Sequence, residues 1–309
     1  MSSKKPISVV FFGTPEFAVP SLNMLLKQGY DIKVVVTQTD KKIGREQKIV
    51  FSVVKEFALG NNLKVLQPAS CRDQKFIEEI KKINPDLIIL IAFGQIIPNE
   101  ILEIPKYRAL NLHASLLPCH RGASPIQAAI LCNDKKTGIT LIRMTKKLDA
   151  GPIIYQKEIE ITENETAATL HDKLKVLAAL VIKEALPKWI SKELKEKPQK
   201  EKKATFCWIL KREHGQIDFN KTAEEIKRQV RAFYPWPGTF IIWEGKRLKI
   251  IDVEITEEKE NKKPGKLFQK NGKLFLSTKD KSLLIKKIQP EGKKEMAGEE
   301  FVRGHLKNS

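Results

Sequence analysis

Asn111 and His113 stand two residues apart in Leu110-Asn111-Leu112-His113. In an extended strand this spacing turns both polar side chains to one face and the two leucines to the other. An amide beside an imidazole is a working pair for acyl transfer. The amide donates to an oxyanion as it forms, and the imidazole moves a proton. Asp149, in Lys147-Leu148-Asp149-Ala150-Gly151-Pro152, is a carboxylate that could orient the ring. Each residue also has a plain structural reading. A strand-end histidine can simply be hydrogen-bonded, and a turn aspartate usually caps its own backbone. Spacing alone does not bring Asp149 to His113.

Ser115-Leu116-Leu117-Pro118 follows, then His120-Arg121-Gly122-Ala123-Ser124-Pro125. Two prolines and a glycine make a stiff loop that can present backbone groups to a flat heterocycle. An ordinary strand-to-helix connection is the alternative. Other chemistries lack their residues. Cys71, Cys119, Cys132 and Cys207 show no CxxC spacing, so they read as reduced thiols, not as a zinc site or a disulfide framework. Gly13 stands without a GxGxxG or P-loop pattern, so nothing signals a dinucleotide or ATP site. No Ser-His-Asp or Cys-His arrangement is evident, and acyl transfer between bound partners requires no metal.

These residues need a scaffold, and the chain supplies one. Strand runs at Ile7–Phe12, Ile32–Thr37 and Leu87–Ala92 alternate with helical spacing at Val19–Gln28, Ser52–Leu59 and Asp73–Ile83. Ser52 and Asp73 are the expected N-caps. Leu110–His113, Gly138–Met144 and Ile153–Ile161 continue as strands, with a helix at Pro125–Cys132 and a long one at Thr166–Leu186. Alternation of this kind predicts an α/β sheet, parallel in its early part. Residues 188–203 hold seven lysines and little apolar content, and read as a solvated connector. Beyond it come a helix at Thr222–Phe233 and five short strands: Phe240–Trp243, Leu248–Val253, Lys266–Gln269, Leu274–Ser277 and Leu283–Ile288. Turn residues separate them, which suggests a small OB-like barrel.

The 309 residues carry 56 Lys+Arg against 37 Asp+Glu, a formal charge of +19. Such a surplus fits an anionic partner, nucleic acid or an acidic membrane surface; a lysine-rich proteome is the other explanation. No apolar run approaches the ~18 residues of a spanning helix, and the start of the chain lacks a signal-peptide pattern. A cytoplasmic location is expected.

Asn111 through Pro118, Arg121-Gly122 and Leu148-Asp149-Ala150-Gly151 together resemble the 10-formyltetrahydrofolate-dependent formyltransferase family. The resemblance to its tRNA-directed branch extends through Phe12-Gly13-Thr14-Pro15-Glu16-Phe17-Ala18, Thr37-Gln38-Thr39-Asp40 with Gly44-Arg45, Arg231 through Gly238, and Gln289 through Lys294. It implies a Rossmann-like α/β catalytic domain with a mostly parallel sheet over 1–187, a basic linker over 188–205 and an OB-like tRNA-binding domain over 206–309. Formyl would pass from 10-formyltetrahydrofolate to the α-amino group of methionyl initiator tRNA in a bacterial cytoplasm, by a monomer with no membrane partner and no metal. Asn111, His113 and Asp149 would be catalytic. Ser115, Leu116, Leu117 and Pro118 would line the folate site. The loop carrying Lys41, Lys42, Arg45 and Lys48 would meet the tRNA acceptor end. Other readings are a formyltransferase for a small amine, such as an amino-sugar nucleotide, and a non-catalytic RNA-binding relative. The loop departs from the family's usual Thr-Gln-Pro-Asp-Arg-Pro-Ala-Gly-Arg-Gly-Lys-Lys: both prolines are absent and Glu46 follows Arg45.

Overall fold

The computed structural model describes residues 5–43, 48–257 and 263–306. In chain order the elements are β1 (Ser8–Gly13), α1 (Val19–Lys27), β2 (Asp31–Val36), a hairpin of β3 (Lys41–Ile43) and β4 (Lys48–Val50), α2 (Val53–Gly60), β5 (Val65–Leu66), α3 (Gln74–Ile83), β6 (Leu87–Ile91), α4 (Asn99–Leu102), β7 (Ala109–His113), β8 (Arg121–Gly122), α5 (Pro125–Leu131), β9 (Lys136–Arg143), β10 (Ile153–Glu160), α6 (Ala167–Ile190) and β11 (Phe206–Cys207). Then follow α7 (Ala223–Phe233), β12 (Thr239–Trp243), β13 (Lys246–Thr256), β14 (Leu267–Lys270), β15 (Lys273–Ser277), β16 (Ser282–Pro290), β17 (Met296–Ala297) and α8 (Gly298–His305). Two compact units result. One runs through Pro125 and takes in Lys136–Glu160 and His171–Cys207; the other holds Ile126–Lys135, Ile161–Leu170 and the chain from Trp208 on.

The sheet of the first unit has the order β10-β9-β7-β6-β1-β2-β5. The five strands β1, β2, β5, β6 and β7 are parallel, with β5 at one edge, and β9 and β10 join antiparallel at the other. The chain builds outward from β1 through β2 to β5, then returns to the other side of β1 with β6 and β7. The reversal between β1 and β6 opens a crevice at the carboxyl ends of the strands, where folds of this class place their ligands. Leu87, Ile88, Ile89 and Ile91 of β6 are fully buried, as a continuous apolar run requires. Phe12 packs edge-on against Phe76 and Phe93, at centroid distances of 6.4 and 5.2 Å.

Local chemistry sets the helix ends. The Ser52 hydroxyl accepts from the Lys55 amide at 3.1 Å, and the Asp73 carboxylate accepts from the Lys75 and Phe76 amides. Both caps stand where the sequence put them. The end of α6 does not. The helix expected over Thr166–Leu186 runs through Pro187 to Ile190. A proline orphans the carbonyl four residues back. Here the Lys183 carbonyl accepts from the Gln28 side-chain amide at 3.3 Å, and the Trp189 indole donates to the Tyr107 carbonyl at 2.8 Å. Outside partners thus replace the lost bond and anchor the final turn.

The lysine-rich segment beyond α6 also differs from expectation. Its lysines are exposed, but its path is pinned. Lys197 exchanges both backbone hydrogen bonds with Ile153, and Phe206 and Cys207 pair in parallel with Arg121 and Gly122. Composition shows a solvated face; it does not show backbone partners.

In the second unit the expected OB-like domain is an antiparallel sheet ordered β12-β13-β16-β15-β14, with β17 added against β16 as a sixth strand. Ile226 and Val230 of α7 and Phe301 of α8 are buried in its core. α7 opens with a full capping box, Thr222 to the Glu225 amide and Glu225 back to the Thr222 amide, and Asp280 accepts from the Ala223 amide at 2.8 Å. Thr222→Ala should therefore cost about 1 kcal/mol of this unit's stability, read as a lower denaturation midpoint with an unchanged denaturant slope. No helix among the described residues is long and apolar enough to cross a membrane.

Candidate active site

β7 ends the parallel part of the sheet and delivers Asn111 and His113 to its carboxyl edge. Both are buried, at 8% and 6% exposure. Asp149 comes from the turn between β9 and β10, and its side chain is as deeply covered. The structure brings all three together. Asp149 Oδ1 lies 3.4 Å from Asn111 Nδ2, and Oδ2 lies 3.6 Å from His113 Nδ1. The Gly122 amide donates to the same Oδ2 at 2.9 Å. The carboxylate is therefore the hub of the cluster rather than the cap of its own turn.

The other ring nitrogen is tied back. His113 Nε2 lies 2.8 Å from the His120 carbonyl. A carbonyl only accepts, so Nε2 carries a proton and Nδ1 is the nitrogen turned toward Asp149. This geometry fixes the ring plane, and it leaves Nδ1 as the atom able to exchange a proton in the shared space.

Two tight backbone positions shape the surroundings. Asp149 has φ +50°, in the left-handed region that aspartate tolerates better than most residues. A Cβ on Gly151 would fall 1.8 Å from the Arg143 carbonyl oxygen, so only glycine lets this turn close on β9.

Ser115 and Leu117 are buried. The Ser115 hydroxyl donates to the Cys119 carbonyl at 2.6 Å. The Thr140 hydroxyl donates to the Ser115 carbonyl at 2.6 Å and accepts from the Leu117 amide at 3.1 Å. The Gln156 amide donates to the Leu117 carbonyl at 2.9 Å. The polar groups of the loop are spent on holding it stiff, and Leu116 and Pro118 are left half-buried. A rigid apolar edge beside the Asn111–His113 pair suits the face of a flat ring.

Of the residues expected to meet nucleic acid, Lys41 and Lys42 lie on β3 and Lys48 on β4; Arg45 lies outside the described residues. The hairpin's stem is firmly held. Lys55 Nζ reaches Asp40 at 2.6 Å and the Gln67 amide reaches it at 2.8 Å, and these bonds hold the Asp40 carboxyl below the usual carboxylate range. Next to the stem a cleft of about 580 Å³ opens at the carboxyl ends of the strands, lined by Gln38, Thr39, Ser70, Arg72, Gln95 and Ile96. Phe11, Phe17 and Phe93, also near strand ends, are buried core residues.

The formyl transferase family model matches residues 6–186, and the model of the formyl transferase C-terminal domain matches residues 209–306. The chain belongs to the formyl transferase family. This formyl transferase is 44% identical over 298 residues to a methionyl-tRNA formyltransferase of Caldanaerobacter subterraneus subsp. tengcongensis, covering 96% of each chain. Among solved structures it is similar to WlaRD, a sugar 3N-formyl transferase crystallised with dTDP and 5-N-formyl-THF. That likeness has a TM-score of 0.68 and 26% identity, and covers 94% of this chain and all of that one. HypX from Aquifex aeolicus shares the fold at a TM-score of 0.65 and 18% identity; the formyl transferase covers 49% of HypX with 98% of its own length.

Several members of the formyl transferase's site carried no chemical signal in the sequence. Thr140 and Gln156 are ordinary strand residues by pattern. Gln199 sits among lysines, yet its side-chain amide donates to the Asp149 and Gly151 carbonyls, both at 2.7 Å. Arg121 was visible only as part of a motif, and it proves to be buried to 1% exposure. Among the described residues no group of three or more His, Cys, Asp or Glu is placed to hold a metal ion.

Proposed function

We propose that this chain transfers a formyl group from 10-formyltetrahydrofolate to the α-amino group of methionyl initiator tRNA. The observation that carries the reading is the near-complete match, 96% of both chains, to a methionyl-tRNA formyltransferase. The convergence of Asn111, His113 and Asp149 at the carboxyl edge of the sheet supports it chemically.

The donor supplies an activated one-carbon acyl group, and the chain's residues handle charge and protons. Negative charge develops on the formyl oxygen as the amine nitrogen bonds to the formyl carbon. Asn111 Nδ2, already pointed into the shared space, donates to that oxygen. An α-amino group has a pKa near 7.7–8, so a neutral fraction exists at physiological pH and can attack. The amine sheds a proton as the new C–N bond forms. Asp149 and His113 Nδ1 receive it and return it to the departing folate nitrogen, so the protons balance. Ser115–Pro118 hold the folate ring against their apolar edge. Cys207 stays a thiol, because burial, with the Asp149 charge adding to it, pushes its pKa up; it offers no competing nucleophile.

The catalytic domain covers 1–187, the basic linker 188–205 and the tRNA-binding domain 206–309. Purified protein supplied with 10-formyltetrahydrofolate should form N-formylmethionyl-tRNA. Preferential turnover of an amino-sugar nucleotide would move the chain to the small-amine branch, and tRNA binding without turnover would make it a binding protein. Binding should also weaken steeply with salt, by about 0.9 in log–log slope per neutralised phosphate. Changing Lys195, Lys197, Lys200, Lys202 or Lys203 to Ala should each remove about one unit of slope or less. Arg45→Ala should lower kcat/KM more than any single one of these, because a misplaced acceptor end loses its alignment. Equal losses would remove the hairpin from acceptor positioning.

A further inference from the structure

The linker reaches the catalytic cluster from behind, through a side chain that the family reading leaves without a role. Gln199 Nε2 donates to the Asp149 and Gly151 carbonyls at 2.7 Å each. These two bonds hold the backbone on either side of Ala150, directly after the left-handed Asp149. Gln199 is itself clamped. The Arg121 guanidinium gives its Oε1 two hydrogen bonds, from Nε at 3.1 Å and from Nη2 at 2.8 Å. The other edge of the guanidinium takes Glu201, Nη1 to Oε2 at 3.1 Å and Nη2 to Oε1 at 3.0 Å. Arg121 holds the Glu201 carboxyl below its usual range.

Burial makes this arrangement more than a surface ion pair. Arg121 is among the largest fully buried side chains of the chain, and stripping a guanidinium of water is costly unless its donors are satisfied. Gln199 and Glu201 take four of its five N–H donors, at least one from each nitrogen. The next residue, Gly122, donates its amide to Asp149 Oδ2 at 2.9 Å. The Arg121-Gly122 pair thus grips Asp149 twice, through Gly122 at the carboxylate and through Gln199 at the backbone. Thr205 closes the strap, accepting from the His120 amide at 2.8 Å, and the His120 carbonyl is the partner of His113 Nε2.

We propose that Gln199, locked by Arg121 and Glu201, is a positioning residue for formyl transfer: it fixes the backbone of Asp149 so that the carboxylate meets Asn111 and His113 in register. The proposal rests on the reading of Asp149 as catalytic. Gln199→Glu separates the functions of the side chain. Its carboxylate still accepts from Arg121, but it cannot donate to the Asp149 and Gly151 carbonyls.

The test is a double-mutant cycle on the full-length protein. Gln199→Glu, Asp149→Asn and the double variant are assayed with 10-formyltetrahydrofolate and whichever amine the wild type formylates. Gln199→Glu should lower kcat by about 10–100-fold, the usual result of misplacing a reacting group by an ångström, while KM for both substrates changes little. In the Asp149→Asn background the same change should cost less than about 3-fold, because residues acting as one unit are not additive. Amide exchange supplies a readout independent of turnover: the Gly122 and Ala150 amides should exchange faster in Gln199→Glu. If Gln199→Glu lowers melting so far that little folded protein remains, Glu201→Gln gives the second reading, a smaller loss confined to kcat with the same exchange pattern. Full additivity in the cycle, a loss seen in KM instead of kcat, or unchanged exchange at Gly122 and Ala150 would each overturn the proposal. Wild-type protein that formylates neither tRNA nor a small amine would instead sink the functional reading, and the exchange result would still decide whether Gln199 holds the Asp149 turn.

Discussion

Asp149→Asn should lower kcat by about 10²–10³-fold in a protein that melts within a few degrees of the wild type. The change keeps the shape of the side chain and removes its charge. It also creates a conflict that the geometry makes explicit. The Gly122 amide needs an acceptor at one side-chain position, and Asn111 Nδ2 faces the other at 3.4 Å. An asparagine has one oxygen and one NH₂ group. With its oxygen toward Gly122, its NH₂ confronts that of Asn111; flipped, it leaves the Gly122 amide without an acceptor. Either orientation removes the carboxylate that faces His113 Nδ1. His113→Ala and Asn111→Ala should lose comparable amounts, and pairs of these changes should cost far less than the product of the singles. Near-normal turnover of folded Asp149→Asn would leave this residue a structural partner of Gly122 and Asn111 with no catalytic role.

Gly122→Ala should be among the most damaging methyl additions to the first unit. Gly122 has φ +119°, a conformation side chains rarely adopt, and a Cβ there would sit 2.1 Å from the Cys207 carbonyl oxygen. The obstruction is backbone, so no rotamer relieves it. Accommodation must break the β8–β11 pairing and move the amide that holds Asp149. A destabilisation of about 2–4 kcal/mol is expected, together with a fall in kcat of about 10²-fold in whatever protein remains folded. Gly29→Ala is the matched control. Its φ of +77° is also left-handed, but nothing lies within 4 Å of the added carbon, so it should cost only about 1 kcal/mol and leave kcat alone. Equal effects from the two substitutions would mean that backbone conformation, not the closeness of Cys207, governs this position.

Periodic apolar runs made the inner sheet legible, since β1, β2 and β6 have no other way to bury their side chains. Ser52 and Asp73 were legible as caps because their chemistry is local. What sequence could not show was whatever depends on a partner far along the chain. Helix α6 runs past Pro187 because Gln28, 155 residues before Lys183, takes the Lys183 carbonyl that the proline frees. α8 has too few apolar residues, chiefly Phe301 and Val302, to display a period. In the site, Asn111 and His113 shared a face by spacing alone. The approach of Asp149 was available only through resemblance, because a turn residue's neighbour on another strand leaves no local trace. Gln199 lay hidden for the opposite reason: the lysines around it advertise solvent.

The anchored stem of the β3–β4 hairpin carries one more consequence. Prolines stiffen a loop at all times, in the unfolded chain as well as the folded one, and so act by limiting entropy before folding begins. Here, where both prolines of the usual pattern are missing, stiffness comes from Asp40 bonded to Lys55 and Gln67, which exists only once α2 and the strand ends have come together. The order of the stem is thus conditional. Because the Asp40 carboxyl is held below its usual range, the brace is complete above the ordinary carboxylate pKa of about 3.9 and disappears as acid drives pH through the lowered folded value. A stem that prolines would fix mechanically is held here by charge, and so responds to pH in a way a proline never does.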